Sequence, residues 1–296
     1  LLREVFFRGR KVRLIPARFI DAGVMEPLRF HATYVGLAAT AGADAAPVLL
    51  WGAAMPHLCL GQGQSAAQIV TAGVTTVRRP LGGGAVWVDE GQRIYVLVVP
   101  LGLAPRRPAD WSAWALRPAI ATFRACGLAV ERRGEDLWLD GRKIAGTGSA
   151  TIGRSAVFAS SFLLSFPRER FAACIAGANG FRGWLEQGLA ATLTDWSAHA
   201  QPPEPQHLCA VYRAAVERSL DWCLSPSALT PAEAAAVEEA RLELEQDTDR
   251  DCGQRATAGT LKLNAESHLL ELEDRRRRVR ELVVRGMVMR REVTVV

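Results

Sequence analysis

Short apolar runs dominate the first third of the chain. The runs at 48–51 and 57–60 are each followed directly by a glycine, which is typical of short strands bounded by turns. Similar runs follow at 74–79, 85–88 and 93–99. This pattern predicts that residues 13–110 form mostly short strands joined by turns.

Helical spacing of apolar positions begins after these strands. Residues 111–126 repeat apolar side chains at helical intervals, and Gly127 stands where a helix end is expected. An alanine-rich stretch at 168–193 and an amphipathic stretch at 206–224 are also predicted as helices, with a proline-rich linker at 201–205 between them. The middle of the chain therefore supplies most of the predicted helices.

A β-hairpin is predicted at 136–144, where Asp140-Gly141 joins two short apolar runs. Asp-Gly favours a tight hairpin because both turn positions need positive φ. Residues 155–166 are predicted as a further strand. Strands and helices mixed in this order predict an α+β fold, with a mixed, mainly antiparallel sheet flanked by helices.

The C-terminal part begins with a capping box, Thr230-Pro231-Ala232-Glu233, which predicts a helix to about Gln246. The polar stretch at 247–254 is predicted as a loop. Residues 261–272 and 279–288 then predict a terminal hairpin around an arginine-rich turn at 274–278. We expect a small C-terminal accessory segment of one helix and this hairpin.

Composition excludes several classes of protein. Of the 296 residues, 49% are apolar and 23% are charged, close to a soluble globular average, so intrinsic disorder is excluded for most of the chain. The longest apolar run, 94–104, is too short for a membrane span and contains Pro100, so it is predicted as a buried strand. The N-terminus lacks the apolar core of a secretory signal.

The net charge and the cysteine spacing limit the possible partners and the chemical state of the cysteines. The net charge of +5 permits an acidic partner, but aromatic and basic residues are not interleaved, so neither a nucleic-acid nor a membrane partner is predicted. The six cysteines include no Cys-x-x-Cys pair, which indicates reduced thiols rather than a disulfide framework or a zinc site. We therefore expect a cytoplasmic protein.

One candidate site is the segment Arg78-Arg79-Pro80-Leu81-Gly82-Gly83-Gly84-Ala85-Val86. Three consecutive glycines allow a ligand to approach the backbone, and successive free N–H groups can hold a phosphate or carboxylate. The two arginines add fixed positive charge that suits phosphate. The alternative interpretation is a flexible hairpin loop with a solvated basic flank.

A second candidate lies in the predicted hairpin, which brings Asp136 and Lys143 near each other. A lysine there could hold an acyl carbonyl and the phosphate of an activated acid. Asp136 could bind Mg²⁺ or steady that lysine. The alternative is a surface cross-strand ion pair, usually worth less than about 1 kcal/mol.

These two segments, about sixty residues apart, resemble the lipoate–protein ligase family, part of the biotin/lipoate ligase and octanoyltransferase superfamily. Members carry an Arg-Arg-x-x-Gly-Gly-Gly-Ala-Val loop, matched by 78–86, and an Asn-Asp-hydrophobic … Gly-(Lys/Arg)-Lys-(Ile/Val)-(Ser/Ala)-Gly stretch, matched from Asp136 to Gly146. Residues 60–64 stand where the family has Ile-Gly-Arg-x-Gln, and 181–194 loosely resembles its helix before Thr-x-Leu. The resemblance covers about residues 13–225.

The resemblance implies a catalytic domain at 1–225, with 226–296 as the accessory domain. It implies ATP-dependent activation of lipoate, octanoate or a similar medium-chain acid as acyl-AMP, with Mg²⁺, followed by transfer to a lysine of a carrier protein. The carrier would be of the lipoyl-domain or glycine-cleavage H-like type. Replacing Lys143 by Ala should then abolish transfer, and from the sequence we expect little effect on thermal stability.

The resemblance also assigns the site residues. Lys143 is the expected catalytic residue, contacting the acyl carbonyl and the α-phosphate, and Asp136 supports it or Mg²⁺. The remaining expected binding residues are the phosphate-contacting Arg78 or Arg79 and the small residues that line the acyl group, Gly82, Gly83, Gly84, Ala85 and Gly146.

The sequence departs from the family at four places. Val88 stands for a histidine, Glu135 for an asparagine, Gln62 for an arginine, and Ser160-Ser161 for His-Gly. We expect these changes to cluster around the acyl pocket. They leave open a different acid, a different carrier, or a catalytically degenerate relative that binds an acyl group or carrier without turnover.

Two further alternatives remain. Octanoyltransferase relatives need no ATP and use a nucleophilic cysteine, for which Cys174 is the candidate, although its Ala-Ala-Cys-Ile setting is typical of a helical core thiol. Gly61-Gln62-Gly63-Gln64-Ser65-Ala66 also matches a dinucleotide-binding pattern. The following stretch at 66–72 is short for the helix that such a unit needs.

Overall fold

The computed structural model describes residues 3–7, 10–64, 73–175, 180–248, 260–264, 266–273 and 276–295. The stretch 66–72 of the dinucleotide interpretation, most of the predicted 247–254 loop and Arg275 of the arginine-rich turn lie outside these residues. No helix among the described residues has the length and apolar character to cross a membrane.

The described elements follow in chain order. The strands are β1 Arg3–Phe7, β2 Arg10–Met25, β3 Val48–Ala54, β4 His57–Leu60, β5 Thr76–Arg78, β6 Val86–Val88, β7 Gln92–Pro100, β8 Glu131–Arg133, β9 Asp136–Leu139, β10 Arg142–Ala145, β11 Thr147–Ile152, β12 Ser155–Leu163, β13 Trp222–Pro226, β14 Thr260–Lys262, β15 Ser267–Glu273, β16 Arg277–Val284 and β17 Met287–Val295. The helices are α1 Pro27–Thr40, α2 Trp111–Ala115, α3 Arg117–Ala125, α4 Arg168–Cys174, α5 Phe181–Thr192, α6 Pro205–Leu220 and α7 Pro231–Thr248, with 3₁₀ turns at Pro108–Asp110 and Trp196–Ala198.

A seven-stranded sheet organises the fold, in the order β1-β2-β3-β7-β12-β11 with β13 beside β2. The pairs β2–β3 and β13–β2 are parallel, and the other pairs are antiparallel. The expected mixed, mainly antiparallel sheet flanked by helices is confirmed.

Helices cover both faces of this sheet, which explains why β3 is apolar at every position and buried throughout. On one face, α1 packs Phe30, Tyr34 and Leu37 against the central strands. On the other, α3 and α6 pack an aromatic core that includes Phe123 and Tyr212.

Helix α1 corrects the expectation that residues 13–110 are mostly strands and turns. It begins at Pro27, and the Glu26 side chain accepts hydrogen bonds from the backbone N–H groups of Leu28 and Arg29. Proline at the first helical position and an N-terminal acceptor are ordinary helix starts. Glu26 and Pro27 therefore indicate a helix start in the sequence, but the short strands predicted on either side led to the helix being missed.

Three predicted helices have different bounds in the structure. The 111–126 helix is two helices meeting at Leu116, just before Pro118, whose ring nitrogen cannot donate. The 168–193 stretch contains α4 and α5 as separate helices. The 206–224 prediction is wrong at its end, because Asp221 takes φ +56 and the chain turns into β13, beside β2.

Three smaller sheets complete the described part of the chain: β5-β4-β6, β10-β9-β8 and β14-β15-β16-β17. The predicted terminal hairpin is thus part of a four-stranded sheet. Helix α7 has the predicted capping box, in which the N–H of Thr230 donates to Glu233 and the N–H of Glu233 donates to Thr230 Oγ1. It packs closely on α1, since a Cβ added at Gly36 would lie 2.6 Å from the nitrogen of Val237.

Candidate active site

The β9–β10 hairpin holds the predicted lysine and aspartate together. Asp140 and Gly141 both take positive φ, at +49° and +75°, as the Asp-Gly turn requires. Lys143 stands opposite Trp138 in the register, and its Nζ lies 3.0 Å from Oδ1 of Asp136, diagonally across the ladder. The side chains are 18% and 6% exposed, so this is an internal ion pair rather than a surface one.

Two neighbours fix the position of Lys143. The N–H of Thr194, which follows α5, donates to the Lys143 carbonyl at 2.8 Å. A Cβ at Gly146 would lie 2.6 Å from Lys143 Nζ, so glycine at this position leaves the room that the ammonium occupies. Gly146, which matches the family pattern, therefore leaves space for the Lys143 side chain.

The glycine loop, residues 79–84, is held by Arg79. One guanidinium nitrogen donates to the carbonyls of Gly82 and Gly84, at 3.0 and 2.9 Å. The other donates to the carbonyl of Cys59 at 3.1 Å and contacts its Sγ at 3.4 Å. Arg79 is buried, so its planar guanidinium connects the loop to β4 within the protein interior.

Gly61, which directly follows β4, makes this loop conformation possible. A Cβ added at Gly61 would lie 1.9 Å from the carbonyl oxygen of Gly83, a separation that no side chain tolerates. Gly83 itself takes φ +105°. The loop therefore rests directly on the backbone that follows β4.

The hairpin and the glycine loop line one cavity of about 420 Å³, a volume in the range of small-molecule sites. Lys143 and Asp136 belong to its wall, as do Arg79, Ala85 and Gly146. The apolar part of the wall comes largely from the sheet and α1. It includes Phe30, Leu81, Val88, Ile94, Val96, Ile144, Ala159 and Leu163.

The C-terminal sheet also reaches this cavity, which the sequence did not predict. Lys262, Leu263 and Asn264 line it, and the carbonyl of Lys262 would lie 3.4 Å from a Cβ at Gly84. Asn264 Nδ2 contacts the carbonyl of Thr192 at the end of α5. The accessory segment therefore closes part of the cavity beside the glycine loop.

A buried polar cluster borders the same cavity, formed by His31 and Tyr34 of α1 and His57 and Cys59 of β4. Burial and the charge of Arg79 lower the pKa of His31 to about 3, so this imidazole is neutral. Burial alone would raise the pKa of the Cys59 thiol, but Arg79 and a hydrogen bond with His57 outweigh it, and the net shift is downward.

Arg78 and Cys174 do not line the cavity. Arg78 is 1% exposed in the core beside the glycine loop. Cys174 is buried at the end of α4 among apolar side chains, and burial raises the pKa of its thiol. Of the two arginines, Arg79 is the one that the fold brings to the cavity, where it binds the glycine loop.

Most of the departures from the family pattern lie in the cavity wall. Val88, Glu135, Ser160 and Ser161 all line it, whereas Gln62 does not. Ser160 Oγ donates to the carbonyl of Gly146 at 2.7 Å, so it supports the backbone beside Lys143. The changes therefore concentrate where an occupant of the cavity would lie.

An apolar cavity whose lining includes Lys143, Arg79 and Lys262 suits an amphipathic anion. An aliphatic chain gains about 0.8 kcal/mol for each methylene removed from water. The ammonium of Lys143 can meet a carboxylate or phosphate oxygen, and the bare glycine backbone permits close approach of that group. The arrangement is suited to holding an acid and to stabilising negative charge that develops on it.

A known protein family matches the chain. The model of the lipoyl protein ligase A/B catalytic domain matches residues 32–203, more than half of the chain. No curated protein sequence matches the chain significantly.

Several solved structures share the fold. A bi-partite lipoate protein ligase, described with its E2 lipoyl domain, from Thermoplasma acidophilum superposes with a TM-score of 0.71 at 16% identity, over 77% of this chain and 93% of that one. A lipoate-protein ligase A bound with ATP gives 0.66 at 13% identity, over 79% and 99%. P. falciparum LipL1 in complex with lipoate gives 0.60 at 12% identity, over 95% and 84%. At these identities the likeness establishes the fold.

Proposed function

The chain belongs to the lipoyl protein ligase A/B catalytic domain family, and from this premise we propose that it activates lipoate or a similar medium-chain acid with ATP and transfers the acyl group to a lysine of a carrier protein. The family supports an enzyme of the ligase or transferase kind. The observation that carries the proposal is that Lys143 and the glycine loop line a single cavity.

In the proposed first step, a carboxylate oxygen of the acid attacks the α-phosphorus of ATP. The bond from that phosphorus to the bridging oxygen of the β-phosphate breaks, and pyrophosphate leaves with the electron pair. Lys143 would contact the acid and the α-phosphate together, because an ammonium can donate to several oxygens at once. Its role is to position the two anions and to stabilise the charge that develops on phosphorus oxygens.

In the proposed second step, the neutral amine of the carrier lysine attacks the acyl carbonyl carbon. The bond to the AMP oxygen breaks, AMP leaves, and the new amide nitrogen loses a proton to solvent. Lys143 would stabilise the tetrahedral oxyanion. Gly82, Gly83 and Gly84 would lie along the acyl group, and Ala85 would border the chain.

The residues present suit ATP and Mg²⁺. The cavity wall includes Lys143 and, from the C-terminal sheet, Lys262, whose ammonium groups would be the ones to meet phosphate. Glu135 and Asp136 offer carboxylate oxygens, the ligands that Mg²⁺ prefers together with substrate phosphates. Asp136 already holds Lys143 at 3.0 Å, so its main role in the proposal is to orient that ammonium.

The proposed partner is a small carrier domain of the lipoyl or glycine-cleavage H-like type. A T. acidophilum structure of the same fold is described with an E2 lipoyl domain, which makes such a domain the first candidate. The proposed boundary between catalytic and accessory parts remains near residue 225. The accessory part would then complete the cavity through Lys262, Leu263 and Asn264.

The experiment that tests the proposal is exchange of labelled pyrophosphate into ATP. Exchange measures the first step alone and requires no carrier. We expect exchange that depends on lipoate or octanoate and disappears in Lys143→Ala, while Arg106→Lys on an exposed loop retains it. Absence of acid-dependent exchange in the native chain would refute the ligase and leave the acyltransferase or non-catalytic alternatives.

A further inference from the structure

We propose that His31, His57 and Cys59 bind a zinc ion at the wall of the cavity. The Nδ1 or Nε2 atoms of the two histidines and Sγ of the cysteine all lie within 4.8 Å of one another. The three residues are 5%, 0% and 1% exposed. Two imidazoles and a thiolate form a donor set that suits zinc. The inference is independent of the proposed acyl transfer.

The two distances from His31 Nε2 match those between ligands of one tetrahedral ion. His31 Nε2 lies 3.2 Å from His57 Nε2 and 3.5 Å from Cys59 Sγ. With zinc bonds of about 2.0–2.1 Å to nitrogen and about 2.3 Å to sulfur, tetrahedral geometry separates two nitrogens by about 3.3 Å and a nitrogen from a sulfur by about 3.5 Å. The remaining pair, His57 and Cys59, lies within 4.8 Å, so an ion can fit with modest movement of the side chains.

The second nitrogen of each imidazole already has a partner. His57 Nδ1 lies 2.8 Å from the Met55 carbonyl, which can only accept, so His57 carries its proton on Nδ1 and presents a lone pair at Nε2. Ligating histidines in metal sites almost always donate in this manner to a carbonyl or carboxylate. His31 Nδ1 lies 3.1 Å from the Tyr34 hydroxyl, which can accept from it and leave Nε2 free to ligate.

Without an ion, His31 Nε2 can carry a proton toward His57, and this alternative makes a purely hydrogen-bonded cluster possible. The convergence of all three atoms favours the ion. Without an ion, the three atoms share at most the hydrogens of His31 Nε2 and of the Cys59 thiol, whereas an ion at the centre satisfies the three atoms together. Arg79 would then donate to the ligating sulfur, as neighbouring groups around metal ligands commonly do.

The site has an entry route and one remaining position. His31 and Cys59 belong to the cavity wall, so an ion can arrive from that side. The cluster supplies three ligands, and the fourth position of a tetrahedral zinc ion would fall to water or to an occupant of the cavity. This arrangement differs from closed structural sites, which use four protein ligands.

The test is the metal content of the tag-free chain, measured by elemental mass spectrometry after extensive buffer exchange. We expect one zinc ion per chain, lost in Cys59→Ser and in His57→Gln. Cys126→Ser and His207→Gln, which alter a thiol and an imidazole elsewhere, should retain it. A native chain without zinc that also fails to bind added zinc would overturn the proposal, as would equal zinc content in Cys59→Ser.

Cobalt substitution tests the ligands without relying on the folding of a variant. Co²⁺ added to the chelator-treated native chain should give a thiolate-to-cobalt charge-transfer band and the visible absorption of a tetrahedral ion. Cys59→Ser should lack the band and bind zinc more than about 100-fold more weakly, beyond the roughly 10–100-fold loss that is typical when a group merely contacts a ligand. Absence of the band in the native chain would contradict ligation by Cys59.

Discussion

Lys143 Nζ lies 3.0 Å from Oδ1 of Asp136, a carboxylate whose side chain is only 6% exposed. The two residues are seven positions apart and come together through the Asp140-Gly141 turn. Because the aspartate is buried, the lysine contributes to the stability of the fold as well as facing the cavity. This changes the expectation, drawn from the sequence, that Lys143→Ala leaves thermal stability nearly unchanged.

We now expect Lys143→Ala to abolish acyl transfer and to lower the free energy of unfolding by about 3–5 kcal/mol, the usual cost of removing one partner from a buried ion pair. The double variant Lys143→Ala with Asp136→Asn should recover part of that stability, because a neutral amide costs less to bury than a carboxylate. Its activity should stay absent. Urea unfolding and transfer assays check both parts; full activity in Lys143→Ala would contradict the assignment.

Gly61→Ala should disrupt the glycine loop, since the new Cβ would meet the Gly83 carbonyl at 1.9 Å. We expect a loss of about 1–3 kcal/mol of stability, the usual cost of overpacking, together with weaker acid binding. Gly102→Ala is the matched control because a Cβ there meets nothing within 4 Å, and its change should stay within about 0.5 kcal/mol. Equal denaturation midpoints for the two variants would argue against the close contact.

Arg79→Lys should loosen the glycine loop without removing the charge. The guanidinium bonds three carbonyls of Cys59, Gly82 and Gly84, and an ammonium on a flexible stem cannot reproduce that fork. Lipoate would then have to order the loosened loop as it binds. A cost equal to about one such bond predicts a roughly tenfold lower affinity for lipoate, measured by calorimetry. Arg106→Lys is the control. The prediction fails if both variants bind lipoate as tightly as the native chain.

The contact of α7 with β2 should depend on pH through Glu233, which Arg18 binds at 2.9 Å. Burial by itself raises the pKa of Glu233, but the hydrogen bonds from Arg18 and Thr230 and the charge of Arg18 outweigh it, so the net pKa lies below the ordinary 4.5. A lowered folded-state pKa means that the carboxylate stabilises the fold fully above the unfolded-state pKa. That stabilisation is lost as the pH falls through the folded-state pKa.

Glu233→Gln should therefore cost about 1.5–3 kcal/mol near neutral pH, the range for a hydrogen bond to a charged group. The difference between the native chain and the variant should shrink below about pH 4.5 and vanish once the folded carboxylate is protonated. Unfolding by urea at a series of pH values measures it. A difference that grows toward low pH would contradict the sign of the shift.

Sequence patterns predicted those parts of the site that depend only on residues close together in the chain. The Asp140-Gly141 turn requires positive φ, and the Thr230–Glu233 capping box needs only residues three apart. These patterns gave the hairpin that carries Lys143 and the start of α7. The sheet class followed from the mixture of strand and helix periods.

Residues brought together by packing could not be predicted in this way. His31 and His57 are 26 positions apart on a helix and a strand, and the absence of Cys-x-x-Cys spacing indicated no zinc site. Lys262 reaches the cavity from the C-terminal sheet, far along the chain from the glycine loop. Trp222 and Leu224 continue a helical pattern in sequence, but both are buried in β13 because β2 offers a parallel edge there.

ATP-dependent acyl transfer to a carrier lysine is tested most directly by the intact mass of the carrier. Lipoyl domains and glycine-cleavage H-like proteins would be incubated with the native chain, lipoate and Mg²⁺, with and without ATP. The proposal predicts that one carrier gains the mass of a single lipoyl group only with ATP, and gains none with Lys143→Ala. A carrier acylated equally well without ATP, or unmodified carriers throughout, would contradict it.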